Sequence, residues 1–163
     1  MVEEALQLRK IKPEDNRAVA ELVKSVMATF DCVGEGYSSS DSELDDMFGA
    51  YNQDQSVFYV IADEQCILGC GGIAPLAGGD SGTCELKKMY FYSELRGKGF
   101  GKKLMELLLQ EAKQLGFNEC YLETVERMET ANYLYARFGF QKLSTNEGST
   151  GHCGCDSYYQ RTL

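Results

Sequence analysis

The chain has 163 residues, of which 44% are hydrophobic and 11% aromatic, and its formal net charge is −9. This length and composition indicate a single folded domain over residues 1–163 and exclude an intrinsically disordered protein. The negative charge argues against nucleic acid or an anionic membrane as a general partner. No apolar run reaches the roughly eighteen residues that a membrane span requires.

The N-terminus and the cysteines bear on the cellular compartment. The opening residues, MVEEALQLRK, carry acids where a secretory signal carries basic residues. Seven cysteines are an odd number, and Cys66, Cys70 and Cys120 lie in apolar runs, which is typical of small buried side chains with reduced thiols. We therefore expect a cytoplasmic protein without a disulfide framework.

The first half of the chain predicts strands and two helices. Pro13 favours the start of a helix, because apolar residues recur after it at helical spacing. Serines followed by acids at 38–51 favour a second, short helix. Alternating or continuous apolar runs predict strands at 4–12, 56–63, 66–76 and 83–92.

Helical patterning begins again at Gly99 and stops at Gly116. One face of this predicted helix is apolar and consists of Phe100, Leu104, Leu107, Leu108, Ala112 and Leu115. Leu109 lies off that face, where it is placed to touch a partner subunit. We expect a monomer or a homodimer.

The remaining residues predict a strand at 119–125, a helix at 129–138 and two closing strands at 139–143 and 156–163. The helix is expected to bury Ala131, Leu134, Tyr135 and Phe138 and to stop at Gly139. The element order is then β-α-α-β-β-β-α-β-α-β-β. This order predicts an α/β (α+β) domain, with a mixed sheet and helices on its faces.

A glycine-rich stretch, SELRGKGFGKKL at 93–104, joins the strand at 83–92 to the following helix. Residues 87–103 contain six of the sixteen Lys and Arg residues (87, 88, 96, 98, 102 and 103) against the single acid Glu94. Backbone amides at a helix start, with cations nearby, form an anion site. The spacing fails the P-loop and dinucleotide patterns. A tight turn with solvated lysines is the alternative interpretation.

Two motifs in the second half of the chain resemble those of the GNAT superfamily of acetyl-CoA-dependent N-acetyltransferases. Arg96, Gly99 and Gly101 match the Arg/Gln-x-x-Gly-x-Gly/Ala motif. A second signature is matched by Ala131, Leu134, Tyr135, Gly139 and Phe140, whereas Met128 stands where many members carry Asn. The resemblance implies the GNAT fold, with a mostly antiparallel sheet of six to seven strands and about four helices.

The resemblance also implies a site for acetyl-CoA as cosubstrate. Its pantetheine is expected to pair with the backbone of Met89, Tyr90 and Phe91. Its pyrophosphate is expected on the amides of the glycine-rich turn, at Arg96, Gly97, Lys98, Gly99, Phe100 and Gly101, with Lys102 at the helix start. No metal is expected.

Catalytic roles follow from the same resemblance. Tyr135 matches the general acid that protonates the leaving sulfur, with a core tyrosine as the alternative. Glu85 matches the general base used by some members, although ordered water serves others. Strand alternation places Glu85 on the face of Lys87 and Met89. It places Cys84, Lys88 and Tyr90 on the opposite face.

The segment TGHCGCDSYY contains the only histidine, His152, with Cys153 and Cys155. In the family this loop lies beside the acceptor pocket, so His152 is a candidate substrate contact or second base. A zinc site is the weaker alternative, because no partner cluster of ligands is visible.

Charge patterning suggests which acceptor the protein uses. Residues 25–86 contain eleven acids and no Lys or Arg. In the family, the first two helices border the acceptor side, so we expect a cationic small-molecule or peptide amine. The function predicted is transfer of acetyl from acetyl-CoA to a primary amine by direct attack in a ternary complex. A non-catalytic acyl-CoA-binding regulator is the main alternative.

Overall fold

Seven strands form one mixed sheet in the computed structural model, which describes residues 5–163. The helices and strands are β1 (Gln7–Lys10), α1 (Asn16–Thr29), α2 (Met47–Tyr51), β2 (Val57–Ala62), β3 (Ile67–Pro75), β4 (Thr83–Phe91), α3 (Phe100–Gln114), β5 (Glu119–Thr124), α4 (Glu129–Arg137), β6 (Gln141–Leu143) and β7 (Ser157–Thr162). This order confirms the predicted element order and fold class. Glu4, where the first predicted strand begins, lies outside the described residues.

The strands lie in the order β1-β2-β3-β4-β5-β7-β6. Strands β4 and β5 are parallel, and the other neighbouring pairs in the described chain are antiparallel. Each face of the sheet is covered by its own apolar core. One core contains α3 and Tyr135 of α4, and the other contains the buried face of α1 with Met47 and Tyr51 of α2.

Helix α3 is buried along a wider stripe than the sequence predicted. Leu109 is only 7% exposed and belongs to the core of its own chain, so its predicted availability to a partner subunit was wrong. Met105 is also buried. The helix therefore inserts two adjacent rows of side chains, as expected for a helix packed flat on a sheet.

The predicted helix at 38–51 is broken into shorter pieces. Two 3₁₀ turns, Ser38–Ser40 and Ser42–Asp45, precede the five-residue α2. Asp41 between the turns is extended (φ −66°, ψ 132°), and the Asp46 carboxylate accepts a hydrogen bond from the Gly49 N–H at 2.9 Å. Serine and aspartate side chains commonly compete with helical backbone bonding in this way.

Helix α4 is less buried than predicted. Tyr135 is buried, whereas Ala131, Leu134 and Phe138 are half-buried. The helix still ends as predicted, because Gly139 adopts a positive φ of 82°. Ala131 and Leu134 pack against the core and also border a cavity, which explains their partial exposure.

Strand β4 contains a bulge that changes which way its side chains point. Register pairing with β3 skips from Gly72↔Lys87 to Cys70↔Tyr90, and Lys88 has a φ of +53°. An extra residue reverses the alternation of the strand. Met89 consequently packs in the core that contains Cys84, and Lys88 reaches the same carboxylate as Lys87.

The predicted alternation was therefore wrong beyond Lys87. Met89 does not share a face with Glu85, and Tyr90 packs against the α1 core rather than with Cys84. Beyond Glu85, β4 also loses its pairing with β5, because the register joins only Thr83–Glu85 to Glu119–Tyr121. The two strands diverge from that point.

All seven cysteines are thiols, so no disulfide links the described chain. Cys70 and Cys120 are buried as predicted, whereas Cys66 is exposed at the β2–β3 turn, where its N–H donates to Asp63. Strand β3 begins at Ile67, one residue later than predicted, so Cys66 precedes the apolar strand in which we expected it to be buried. Among the described helices, none is long and apolar enough to cross a membrane.

Candidate active site

A cavity of about 560 Å³ lies beside the part of β4 that no longer pairs with β5. It is bordered by the end of β4, the turn before α3 and one side of α4. Eight of the predicted cofactor residues line it: Met89, Tyr90, Phe91, Arg96, Gly97, Gly99, Phe100 and Gly101. Lys98 and Lys102 are exposed and do not line it.

The turn before α3 presents backbone amides rather than side chains. Gly97 and Gly99 have φ values of 78° and 80°, which favour glycine, and Gly99 precedes the helix without a side-chain cap. The first N–H groups of a helix have no intrahelical acceptor, and the helix dipole adds positive potential there. This end of the cavity can therefore hold an anion.

Of the six Lys and Arg residues at 87–103, Lys87 and Lys88 are paired with carboxylates and do not add to the positive charge of the turn. The Lys88 side chain is fully buried, and its ammonium contacts Asp41 at 2.6 Å and also Glu43. Lys87 contacts Glu43 at 2.9 Å. The predicted cation cluster is thus smaller than the sequence suggested. Likewise, Asp41 and Glu43 of the acidic stretch neutralise buried lysines.

Tyr135 lies in the cavity wall at the point nearest the core. Its ring packs against Phe140 and Tyr159, with centroid distances of 6.0 and 5.9 Å. Its hydroxyl makes no hydrogen bond to any described residue. Burial raises the pKa of the phenol well above 10, so the hydroxyl stays protonated at neutral pH. It can therefore donate a hydrogen bond or a proton to a bound ligand.

Glu85 is a buried carboxyl group, with 4% of its surface exposed. It makes no hydrogen bond or ion pair with the described residues. Burial raises its pKa to about 7, although the charges of Lys87 and His152 oppose the shift. A carboxylate with this pKa can accept a proton near neutral pH.

His152 is held against the loop between α1 and α2. Its Nε2 lies 2.9 Å from Asp41 Oδ2, and its Nδ1 lies 3.9 Å from Glu123 Oε1. Burial alone would lower the pKa of His152, but the hydrogen bond with Asp41 outweighs it and the pKa is raised. The Glu123 carboxylate also accepts a hydrogen bond from the Thr150 hydroxyl.

Glu85, Glu123 and His152 form a compact group, in which one polar atom from each lies within 4.8 Å of the other two. Glu123 was not predicted as a site residue, and neither were its neighbours Asp41 and Thr150. One signal was present in the sequence: Glu123 interrupts an apolar strand, ECYLETV. Cross-strand pairing of Glu85 with Tyr121 then places Glu123 on the face of Glu85.

Cys155 interacts electrostatically with this group and with tyrosines of the cavity wall. Burial raises the pKa of its thiol to about 12, and the carboxylates of Glu123 and Glu85 add to the shift. The same thiol contributes to the raised pKa values of Tyr135 and Tyr90 in the cavity wall. Cys155 is therefore a neutral thiol that interacts electrostatically both with the acid–histidine group and with the cavity wall.

Comparison with known proteins assigns the family. The sequence profile of the Acetyltransferase (GNAT) family matches residues 20–140. The uncharacterized N-acetyltransferase YjgM of Escherichia coli (strain K12) is 38% identical over 157 residues, which cover 96% of this chain and 94% of that protein.

Solved structures share the fold at low sequence identity. A GNAT-family acetyltransferase of Staphylococcus aureus Mu50 has a TM-score of 0.80 at 20% identity, covering 98% of this chain and 99% of its own. The structure of yncA from Salmonella typhimurium, with its cofactor acetyl-CoA, has a TM-score of 0.76 at 18% identity, covering 98% and 94%. The family profile, the E. coli relative and the fold agree: the chain is an acyltransferase of the GNAT acetyltransferase family.

Proposed function

We propose that the protein transfers an acetyl group from acetyl-CoA to a primary amine by direct attack in a ternary complex. The observation that carries the amine assignment is Glu85, a buried and unpaired carboxyl group with a pKa near 7. Such a group is suited to taking a proton from an ammonium ion. Its strand, β4, continues into the wall of a cavity of a size typical for a bound small molecule.

The cavity residues support acetyl-CoA as the cosubstrate, as in the Salmonella relative. The backbone of Met89, Tyr90 and Phe91 would hold the pantetheine. The amides from Arg96 to Gly101 would hold the pyrophosphate, with Lys98 and Lys102 exposed beside them. When bound, acetyl-CoA supplies the thioester carbonyl as electrophile and a thiolate as leaving group.

Proton transfers are assigned to two residues of this chain. Glu85 accepts a proton from the acceptor ammonium, which leaves a neutral nucleophile. The Tyr135 hydroxyl, which bonds to none of the described residues, donates its proton to the leaving sulfur. The phenolate then recovers a proton from the acceptor nitrogen, which loses its second proton as the amide forms. Lys88 and Met89 have no partner on β3 in the register of the two strands. A backbone N–H at this bulge can stabilise the developing oxyanion.

The charges around Glu85 favour a cationic acceptor. With Glu85 protonated and His152 neutral, two cations, Lys87 and Lys88, face three carboxylates, those of Asp41, Glu43 and Glu123. Ionised Glu85 adds one uncompensated negative charge. A buried unpaired charge is unfavourable, so an incoming ammonium relieves it.

Acetyl-CoA-dependent thiol release tests the function on a panel of amines, polyamines, amino acids and peptides. We expect release that depends on an amine and an N-acetylated product identified by mass spectrometry. Glu85→Gln should abolish most of the rate at neutral pH. Acetyl-CoA binding without turnover on any amine would instead indicate a regulator, and faster turnover of alcohols than of amines would indicate a different acceptor class.

A further inference from the structure

Glu85, Glu123 and His152 each contribute one hydrogen-bond acceptor to a cluster of three atoms, and no donor from the described residues lies between them. They are a Glu85 carboxylate oxygen, a Glu123 carboxylate oxygen and a ring nitrogen of His152, all within 4.8 Å of one another. In the neutral tautomer of His152 whose Nε2–H donates to Asp41, the Nδ1 lone pair lies 3.9 Å from Glu123 Oε1. Lone pairs facing one another at this distance require a positive charge or a proton at their centre.

The surroundings hold these three atoms in place but do not neutralise them. Thr150 donates to Glu123, and Asp41 orients His152. Lys87 and Lys88, the nearest lysines, are bound to Glu43 and Asp41 instead. Glu85 is buried and has no hydrogen-bond partner among residues 5–163. In the empty site, a proton on Glu85 or His152 supplies the missing positive charge.

We propose that Glu85, Glu123 and His152 together bind the ammonium group of the acceptor, and that this arrangement selects primary amines. This inference rests on the proposed function, since it assigns the acceptor subsite of the same reaction. It adds Glu123 and His152 to the residues that contact the substrate.

The widest spacing among the three atoms favours an ammonium over a zinc ion. Tetrahedral ligands of zinc, at about 2.1 Å from the ion, lie about 3.4 Å apart. Acceptors of an ammonium, at about 2.8 Å from its nitrogen, lie about 4.6 Å apart. The 3.9 Å pair lies between these two values, and the separation of up to 4.8 Å in the group exceeds what zinc allows and fits the larger centre.

The number of acceptors accounts for the selectivity. A primary ammonium carries three N–H donors, and the site offers three acceptors, one from each residue. A secondary ammonium has only two donors and would leave one acceptor unpaired. A site built to satisfy all donors discriminates strongly against a ligand that lacks one.

The first experiment measures binding without turnover. Calorimetry of a primary amine that the enzyme acetylates, added to protein saturated with coenzyme A, gives its dissociation constant. Glu123→Gln should weaken this binding by about 10- to 100-fold, the range for a lost hydrogen bond to a charged group. Glu119→Gln is the matched control, because it makes the same change on the same strand at its far end, outside the group. It should leave the binding unchanged.

The second experiment compares that primary amine with its N-methyl analogue. We expect kcat/KM for the secondary amine to be at least about tenfold lower in the wild-type protein. This ratio should shrink in Glu123→Gln and be retained in Glu119→Gln.

The outcomes separate this inference from the proposed function. Unchanged amine affinity in Glu123→Gln, with amine acetylation retained, would overturn the ammonium site while the acetyltransferase function stands. Absence of acetylation with every amine would overturn both. Stoichiometric Zn²⁺ binding to the unliganded protein, lost in Glu123→Gln and in His152→Gln, would identify a metal site and overturn the ammonium assignment.

Discussion

At the scale of single residues, the burial that suits Glu85 to its proposed role as a base also lowers the stability of the folded protein. A carboxyl group that is buried without a partner is disfavoured when ionised, and this keeps its pKa near 7 rather than at the ordinary 4.5. The same shift places the proton acceptor where a base works best at neutral pH. Glu85 therefore destabilises the folded chain at the pH where it is useful.

Replacing Glu85 with Gln should stabilise the protein while removing its activity. Because the folded-state pKa is raised, the contribution of Glu85 to stability is present at low pH and is lost as the pH rises from about 4.5 through about 7. At pH 8 the penalty is at most roughly 3 kcal/mol, so Glu85→Gln should gain roughly 1–3 kcal/mol there and little at pH 5. Urea unfolding at the two pH values checks this, and an equal effect at both would contradict the assigned pKa.

Tyr135 offers a second test at this scale, because its ring and its hydroxyl have separable roles. Tyr135→Phe keeps the packing against Phe140 and Tyr159 and removes a hydroxyl that bonds to none of the described residues. Stability and acetyl-CoA affinity should be unchanged, while kcat falls about 10²- to 10⁴-fold. Single-turnover rates measure the chemical step directly. A wild-type rate would reduce Tyr135 to a packing residue.

At the scale of elements, the sequence predicted what local patterning determines. Helix α3, its glycine-rich start and the strand before it follow from periodicity and from Gly99 and Gly116. The bulge in β4 was not predictable, because no glycine marks it and because Lys88, which has the positive φ there, forms its ion pairs with Asp41 and Glu43. Those carboxylates are more than forty residues distant in sequence.

Gly99 lies directly before helix α3, and its proposed role in binding acetyl-CoA can be tested separately from the strain of its backbone. Gly99 and Gly116 have φ values of 80° and 93°, and a Cβ at either meets nothing within 4 Å. Gly99→Ala and Gly116→Ala should therefore each cost about 1–3 kcal/mol of stability through strain alone. Only Gly99→Ala should also weaken acetyl-CoA binding by calorimetry. Equal affinities in the two variants would move the pyrophosphate away from this turn.

The bulge of β4 depends on the buried ion pairs of Lys88. Lys88→Met removes the cation and leaves Asp41 and Glu43 without it, which should cost about 3–5 kcal/mol. Lys24→Met, at an exposed position of α1, is the matched control and should change stability by less than about 0.5 kcal/mol. Denaturant unfolding compares them. A Lys88→Met variant as stable as the control would show that the pair contributes nothing.

At the scale of the whole molecule, the site is assembled from distant parts of the chain. His152 and Asp41 are separated by 111 residues in the sequence. They meet because β7, the strand that follows His152, lies inside the sheet between β5 and β6 rather than at its edge. The sequence indicated Glu85, Tyr135 and the glycine-rich turn through their motifs. Glu123 and the partners of His152 became visible only with the sheet order, because no local pattern links them.

The acids of residues 25–86, from which a cationic acceptor was predicted, divide into exposed acids and acids that are partly or fully buried. Of the eleven acids between residues 25 and 86, most are exposed, whereas Asp41, Glu43 and Glu85 lie inside the site. The exposed acids are screened by salt, and those in the site are screened less. We therefore expect recognition of the proposed cationic acceptor to depend on the few acids around His152 more than on the net charge of −9.

The central claim is direct attack by an amine on acetyl-CoA in a ternary complex, with Glu85 as the base. Initial velocities measured while both substrates are varied test it most directly, together with the mass of the intact protein after exposure to acetyl-CoA alone. The account predicts intersecting double-reciprocal lines, an N-acetylated product and an unmodified protein. Parallel lines with an acetyl group on the protein, for example on Cys155, would contradict it.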